Sequence, residues 1–133
     1  MVFTKTFSIT TNGRDQFKDI TAQVQQVVLD SEISDGYVIV FVPHTTAAVT
    51  INENADPDVV SDLIYQLDNM VPWTNNYRHF EGNTAAHLKS SMMGFSETLL
   101  IEQGHLVLGT WQGIYFTEFD GPRTRKVIVK VMG

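Results

Sequence analysis

Three of the four histidines, His44, His79 and His87, stand in polar segments where an imidazole could reach a ligand. His79 and His87 are eight residues apart and His44 is remote, so their spacing matches no short metal motif such as H-E-x-x-H. Cysteine is absent, and a metal would therefore be held by His, Asp, Glu or backbone oxygen. Two interpretations stay open. The fold brings the three histidines into one site, or each one caps a loop or forms its own hydrogen bonds.

The segment from His79 to Thr84 leads directly into a predicted helix. The first backbone N–H groups of a helix lack intrahelical acceptors and favour anions. Gly82 would let a ligand approach the backbone closely, so a phosphate group could bind there beside Asn83. The alternative is that Asn83 or Thr84 simply caps the helix.

Two further polar segments follow or join predicted strands. Glu53 comes at the end of a strand and could act as a general base or a metal ligand, or it could be a solvated acid. The segment from Asp120 to Arg123 could be an ordinary turn. It could equally place Asp120 against a metal or a ligand amine and Arg123 against a phosphate.

The charge pattern favours a small phosphorylated ligand over nucleic acid. The net charge is −6, whereas nucleic-acid binders need a basic surface. The one basic cluster is short, and alternation along a strand would place Arg123 and Arg125 on one face and Lys126 on the other. Such a pair suits one phosphate group better than a duplex.

Apolar periodicity predicts the elements that position these residues. A helix should begin at Asp19 and bury Ile20, Val24, Val27, Val28 and Ile33, and a second should begin at Asp56 and Pro57. A third should run over 83–93 after a long loop over 70–82. Strands are predicted over 3–10, 37–42, 47–52, 97–102, 106–111, 113–119 and 126–131, with 37–42 buried on both faces and the last two paired through a hairpin loop.

These elements predict a single α+β domain over 1–133, with a mostly antiparallel sheet or sandwich and about three helices. Hydrophobic residues make up 43% and charged residues 18%, which excludes the disordered class. No apolar run is long enough to span a bilayer, and the first residues do not resemble a secretory signal, so we expect a cytoplasmic protein without membrane partners.

Three segments, HTTAAVTINENADPDV (44–59), HFEGNTAAHLKSS (79–91) and LGTWQGIYFTEFDGPRTRKV (108–127), closely resemble the YjbQ family. The resemblance extends in order over essentially the whole chain. The matching motif positions are His44, Thr45, Thr46, Asn52, Glu53, His79, Glu81, Gly82, Asn83, His87, Trp111, Gln112, Asp120 and Arg123. His105 matches no motif, and Ala85 stands where many relatives carry an acidic residue.

The resemblance implies a homotrimer and a secondary thiamine-phosphate synthase activity, which joins hydroxymethylpyrimidine diphosphate to a thiazole phosphate and releases pyrophosphate. It implies catalytic roles for His44, His79, His87 and either Glu53 or Asp120. Ligand contacts would come from Thr45, Asn52, Gly82, Asn83, Gln112 and Arg123. It also makes a divalent metal on the three histidines (zinc, manganese or magnesium) a reasonable expectation, and no organic cofactor is expected. The alternatives are a non-catalytic trimer that binds a metal or a phosphorylated ligand, and a metal-dependent hydrolase.

Overall fold

The computed structural model describes residues 1–133 as eight strands and three helices. In chain order they are β1 (Val2–Thr10), β2 (Gln16–Asp19), α1 (Thr21–Ser31), β3 (Asp35–Phe41), β4 (Ala47–Glu53), α2 (Pro57–Met70), α3 (Thr84–Met93), β5 (Ser96–Glu102), β6 (His105–Leu106), β7 (Gln112–Glu118) and β8 (Thr124–Met132). None of the helices is long and apolar enough to cross a membrane.

The strands form two antiparallel sheets. The larger sheet has the order β1-β8-β3-β5-β6, and the smaller has the order β2-β7-β4. In the larger sheet, β1 pairs with β8 along its whole length, from Val2 opposite Met132 to Thr10 opposite Thr124. The α+β class, the antiparallel sheets and the three helices are therefore as predicted.

Two hydrophobic clusters form the core. The inner face of the larger sheet packs with α1 and one face of the smaller sheet around a cluster that includes Val28, Val40, Phe116 and Val129. The other face of the smaller sheet packs against α2 and α3, and Phe119 lies in that second cluster. The smaller sheet is thus covered on both sides, whereas no helix packs on the outer face of the larger sheet.

The predicted hairpin between the last two strands is wrong. Strand β7 pairs with β2 and β4, and β8 pairs with β1 and β3, so the two strands lie in different sheets. The burial pattern explains the difference. Most residues of β7 are buried, as in a central strand covered on both faces, whereas β8 alternates between buried and open positions. The connection from Asp120 to Arg123 therefore crosses from one sheet to the other.

Other predictions also needed correction. Strand β3 is not buried on both faces, since Tyr37 and Phe41 on its outer side are each 42% exposed. The strand predicted over 106–111 is reduced to the short β6, and β2 was not predicted. By contrast, α2 begins as expected, because Pro57 is its first residue and the Asp56 carboxylate accepts a hydrogen bond from the Asp58 N–H at 2.9 Å.

A buried lysine ties α3 to the rest of the fold. Lys89 has no exposed surface, and its ammonium donates to Asp15 at 2.8 Å and to Asp68 of α2 at 2.9 Å. Arg14 also pairs with both carboxylates. The hydrogen bond from Lys89, followed by its positive charge, lowers the pKa of Asp68. The cluster joins the β1–β2 connection, α2 and α3, and so sets the position of α3.

Replacing Lys89 with methionine should destabilise the fold strongly. The Asp15 carboxylate, only 6% exposed, would keep only the more exposed Arg14 as a partner, so we expect a loss of about 3 kcal/mol, the lower end of the cost of breaking a buried pair. Urea unfolding followed by circular dichroism would measure the loss. Lys5→Met is the matched control, because Lys5 makes an exposed pair with Asp30 that contributes at most about 1 kcal/mol. Equal losses in the two variants would contradict the assignment.

Candidate functional site

Three connections meet around a polar cavity of about 460 Å³. They are the β3–β4 connection, the segment that leads into α3, and the crossing from β7 to β8. The cavity is lined by Pro43, His44, Thr45, Thr46, His79, Glu81, Asn83, His87, Asp120, Arg123 and Arg125. Its size lies within the range of small-molecule sites, and its lining consists almost entirely of groups that form hydrogen bonds.

His44 is held by the backbone of β8. Its Nε2 accepts a hydrogen bond from the Lys126 N–H at 2.9 Å. Strand β3 ends at Phe41, which pairs with Ile128 of β8. The pairing of β3 with β8 therefore stops before Lys126, and the imidazole accepts the hydrogen bond of the Lys126 N–H instead. Burial, and then the nearby Arg125 charge, lowers the pKa of His44. The ring is therefore neutral at pH 7 and carries its proton on Nδ1, which makes Nδ1–H a hydrogen-bond donor.

His79 and His87 form a close pair on the other side of the cavity. Their ring centroids are 5.5 Å apart and the rings are nearly perpendicular. His79 precedes α3, and His87 is the fourth residue of that helix. The Glu81 carboxylate is 3.8 Å from His79 Nε2, which is longer than a hydrogen bond. This pair is the part of the cavity best suited to proton transfer.

Asp120 organises the third wall. Its carboxylate accepts from Arg123 Nη2 at 3.0 Å and from Asn83 Nδ2 at 2.9 Å, and its carbonyl accepts from Arg123 Nε at 2.9 Å. Asn83 precedes α3 but forms no side-chain cap, and its Oδ1 is enclosed without a partner. The Asn83 side chain is thus used to join α3 to the β7–β8 connection, and the first N–H groups of α3 have no side-chain acceptor at that position.

Glu118, which the sequence did not single out, lies behind this cavity and binds Arg125, which lines it. Glu118 is fully buried and Arg125 is 4% exposed, and they form a bidentate ion pair. Glu118 also accepts from Thr11 Oγ1 and from two backbone N–H groups at the end of β7. The available signal was an acidic residue at the end of an apolar strand together with the predicted common face of Arg123 and Arg125, both of which line the cavity.

The structure brings together only part of the predicted set. The predicted residues that line the cavity are His44, Thr45, His79, Asn83, His87, Asp120 and Arg123. Gly82 lies just outside, in a neighbouring depression with Trp73 and Tyr77, and its φ of 78° favours glycine.

The remaining predicted residues lie at the far end of the smaller sheet. Glu53 pairs with Gln112 where β4 ends and β7 begins, and Asn52 is adjacent. The cavity lies at the opposite end, near Ala47 and its partner Glu118, and the seven residues of β4 span roughly 20 Å at about 3.3 Å per residue. Within one chain, Asn52, Glu53 and Gln112 therefore do not contribute to the cavity.

The arrangement does not fit a metal bound jointly by the three histidines. No three His, Asp or Glu side chains are grouped so that they could hold one ion. The Nε2 of His44 already accepts a backbone hydrogen bond, so that atom would have to give up this bond before it could bind a metal. His79 and His87 are the nearest pair of nitrogen ligands. The three-histidine metal site stays a prediction.

Comparison with known proteins agrees with the architecture. The sequence model of the family described as "UPF0047 protein YjbQ-like" matches residues 5–133. The chain belongs to the YjbQ family. The YjbQ-family protein YugU of Bacillus subtilis is 52% identical over 130 residues, which is 97% of this chain and 98% of YugU. A UPF0047 protein of Methanocaldococcus jannaschii is 49% identical, covering 96% of this chain and 92% of its own length.

Solved structures of YjbQ-family proteins have the same fold. A crystal structure from Clostridium acetobutylicum, described as an uncharacterised conserved protein of this family, has a TM-score of 0.95 and 56% identity, and covers 96% of this chain and 99% of its own. A YbjQ-like protein of unknown function from Sulfolobus solfataricus has a TM-score of 0.96 at 32% identity, with coverage of 100% and 98%. The fold is thus retained across bacterial and archaeal sequences.

The hydrogen bond from Lys126 predicts the tautomer of His44. A long-range ¹H–¹⁵N NMR spectrum at pH 7 should show His44 as the neutral Nδ1–H form, with a pKa below 6.5. Since the pKa is depressed in the folded state, this group should stabilise the fold fully above pH 6.5 and lose that contribution as the pH falls through the folded pKa. An Nε2–H tautomer, or a pKa above 6.5, would contradict the observed bond.

Proposed function

We propose that this YjbQ-family protein is a cytoplasmic transferase of the thiamine-phosphate synthase type, joining hydroxymethylpyrimidine diphosphate to thiazole phosphate. The observation that carries the proposal is that the cavity combines hydrogen-bond donors with carboxylates. The donors come from His44, Arg123 and Arg125, and the carboxylates come from Glu81 and Asp120.

This combination of donors and carboxylates suits the charges that the reaction develops. The lone pair of the thiazole nitrogen forms the new C–N bond to the pyrimidine methylene carbon. The C–O bond breaks, and its electron pair leaves with pyrophosphate. Negative charge therefore grows on the leaving group, which donors and arginines stabilise, while positive charge grows on the pyrimidine and the thiazolium, which carboxylates stabilise.

Proton transfer concerns the leaving group in this reaction. The attacking thiazole nitrogen carries no proton, so its attack requires no general base. The His79 and His87 pair can instead donate a proton to the departing pyrophosphate, with the Glu81 carboxylate 3.8 Å from His79 Nε2. His44 has a lowered pKa and acts as a neutral hydrogen-bond donor.

Substitution of the histidine pair should abolish most of the activity. His79→Ala and His87→Ala should each lower kcat for thiamine monophosphate formation by about 10²-fold or more, the usual contribution of a general acid. His105→Ala is the matched control, because His105 is the one histidine outside the cavity, and it should retain the wild-type rate.

The same assay separates the competing functions. Product formation that is equal in His87→Ala and wild type would contradict the proposal. Tight substrate binding without product would indicate a non-catalytic binding protein, and release of phosphate from simple esters would indicate a hydrolase. Each protein should be checked by circular dichroism so that a loss of activity is not a loss of folding.

We also propose a homotrimer that uses the outer face of the larger sheet. Strand pairing places Tyr37 beside Leu100 and Met132, and Phe41 beside Ile128, so the uncovered face presents two apolar groups, with Ile39, Lys130 and Thr98 in the row between them. Leu100 is 59% exposed there. Apolar patches of this kind are typical of interfaces between subunits.

Charge on this patch should dissociate the assembly. Light scattering of the wild type should give about three times the chain mass of 15.0 kDa, whereas Leu100→Glu should give a smaller mass at the same concentration. Leu29→Glu is the matched control, since Leu29 is 48% exposed on α1, away from the patch, and should leave the mass unchanged. A wild-type monomer at micromolar concentrations would contradict the trimer.

A further inference from the structure

The guanidinium group of Arg125 is fixed by hydrogen bonds at two of its nitrogens and has no partner in the chain at the third. Its Nε and Nη2 bind the two carboxylate oxygens of Glu118, and Nη2 also donates to the Thr46 hydroxyl at 2.8 Å and the Thr46 carbonyl at 3.3 Å. These bonds involve Nε and Nη2 alone. They hold the plane of the guanidinium group before any ligand arrives.

The remaining nitrogen, Nη1, has no hydrogen-bond partner in the chain. It is also absent from the small set of polar side-chain atoms that are fully enclosed without a partner, namely Asn83 Oδ1, Thr84 Oγ1, Ser90 Oγ and Thr117 Oγ1. Arg125 lines the polar cavity although it is 4% exposed. Nη1, with its two N–H donors, is therefore the part of this buried side chain that is available to a ligand in the cavity.

We propose that Arg125, acting through Nη1, is the anchor for a phosphoryl group in this cavity, and that His44 Nδ1–H is the second fixed donor. The two donors are held by neighbouring residues of β8. Arg125 belongs to that strand, and His44 is bonded to the backbone of Lys126, the next residue. The assignment rests on the proposed function only in taking a phosphorylated molecule as the ligand.

Arg123, which the sequence favoured for this role, is held differently. Its side chain is 50% exposed, and its Nε and Nη2 are bound to Asp120. Water screens an exposed charge, and a long exposed side chain loses conformational entropy when a ligand fixes it. The guanidinium of Arg125 is shielded from water and already oriented, so its donors favour an anion without that loss.

The nearby carboxylates restrict the class of ligand further. Asp120 is engaged by Arg123 and Asn83, whereas Glu81 is exposed and has only His79 within ion-pair distance. A bare anion would be repelled at that side of the cavity. The ligand class that fits is a phosphate or diphosphate ester whose organic part carries amino groups or positive charge, so that its phosphoryl end reaches Arg125 and its other end reaches Glu81.

A pair of matched substitutions tests the anchor. Arg125→Lys keeps a positive charge beside Glu118 but removes Nη1, and Arg123→Lys makes the same change at the exposed arginine. Isothermal titration with inorganic pyrophosphate should show affinity reduced about tenfold or more in Arg125→Lys and less than about threefold in Arg123→Lys. Equal weakening, a larger loss in Arg123→Lys, or no binding to the wild type at millimolar pyrophosphate would overturn the assignment.

The wild-type protein provides a test that does not depend on a variant folding. The Arg125 Nε–H is protected by its bond to Glu118, so its ¹H–¹⁵N resonance should be visible and should shift saturably as pyrophosphate is added. A resonance that stays fixed at saturation would overturn the role of Arg125. Thiamine monophosphate formation measured on the same samples keeps the two proposals separate, since pyrophosphate can bind at Arg125 in a protein that forms no product.

Discussion

The buried pair of Glu118 and Arg125 is the interaction on which the cavity depends. Glu118 ends a strand of the smaller sheet and Arg125 is the second residue of a strand of the larger one, so their two hydrogen bonds join the sheets. Enclosing two charges is costly unless each lone pair and donor is satisfied. Here Thr11, Thr46 and backbone N–H groups supply the additional bonds, so the charges also fix the loops around them.

A second buried charge, the ammonium of Lys89, lies on the other side of Phe119. The backbone N–H of Phe119 donates to Glu118, while its ring lies 5.9 Å from the ammonium of Lys89. Lys89 holds α3, and α3 carries His87 toward the cavity. The two networks of buried charge thus act on opposite walls of one site, and both are reinforced by apolar packing around the smaller sheet.

Periodicity predicted the fold well because most elements have one buried face. The start of α2 was predictable from Asp56 and Pro57, since capping and proline geometry act locally. Strand partners were not predictable in this way. The hairpin expected between β7 and β8 depends on which layers cover each strand, and that is a property of the whole chain.

The site was predictable in part for the same reason. Motif resemblance identified most of the cavity, including His44, His79 and His87, although they are far apart in sequence. It also included Glu53, which lies at the other end of the same strand pair. Glu118 was missed because a buried acid is recognised by its partners, and two of these, Thr11 and Arg125, come from other strands of the fold or their ends.

The support of His44 by a main-chain group has an evolutionary consequence. Every residue except proline supplies a backbone N–H, so the side chain at position 126 is free to change while the imidazole keeps its orientation. In an alignment, position 126 could therefore vary while His44 stays the same, and the two positions would show no covariation. The selective constraint falls instead on the backbone path of β8. A proline at position 126 is the one substitution that would remove the hydrogen bond to His44, because proline has no backbone N–H.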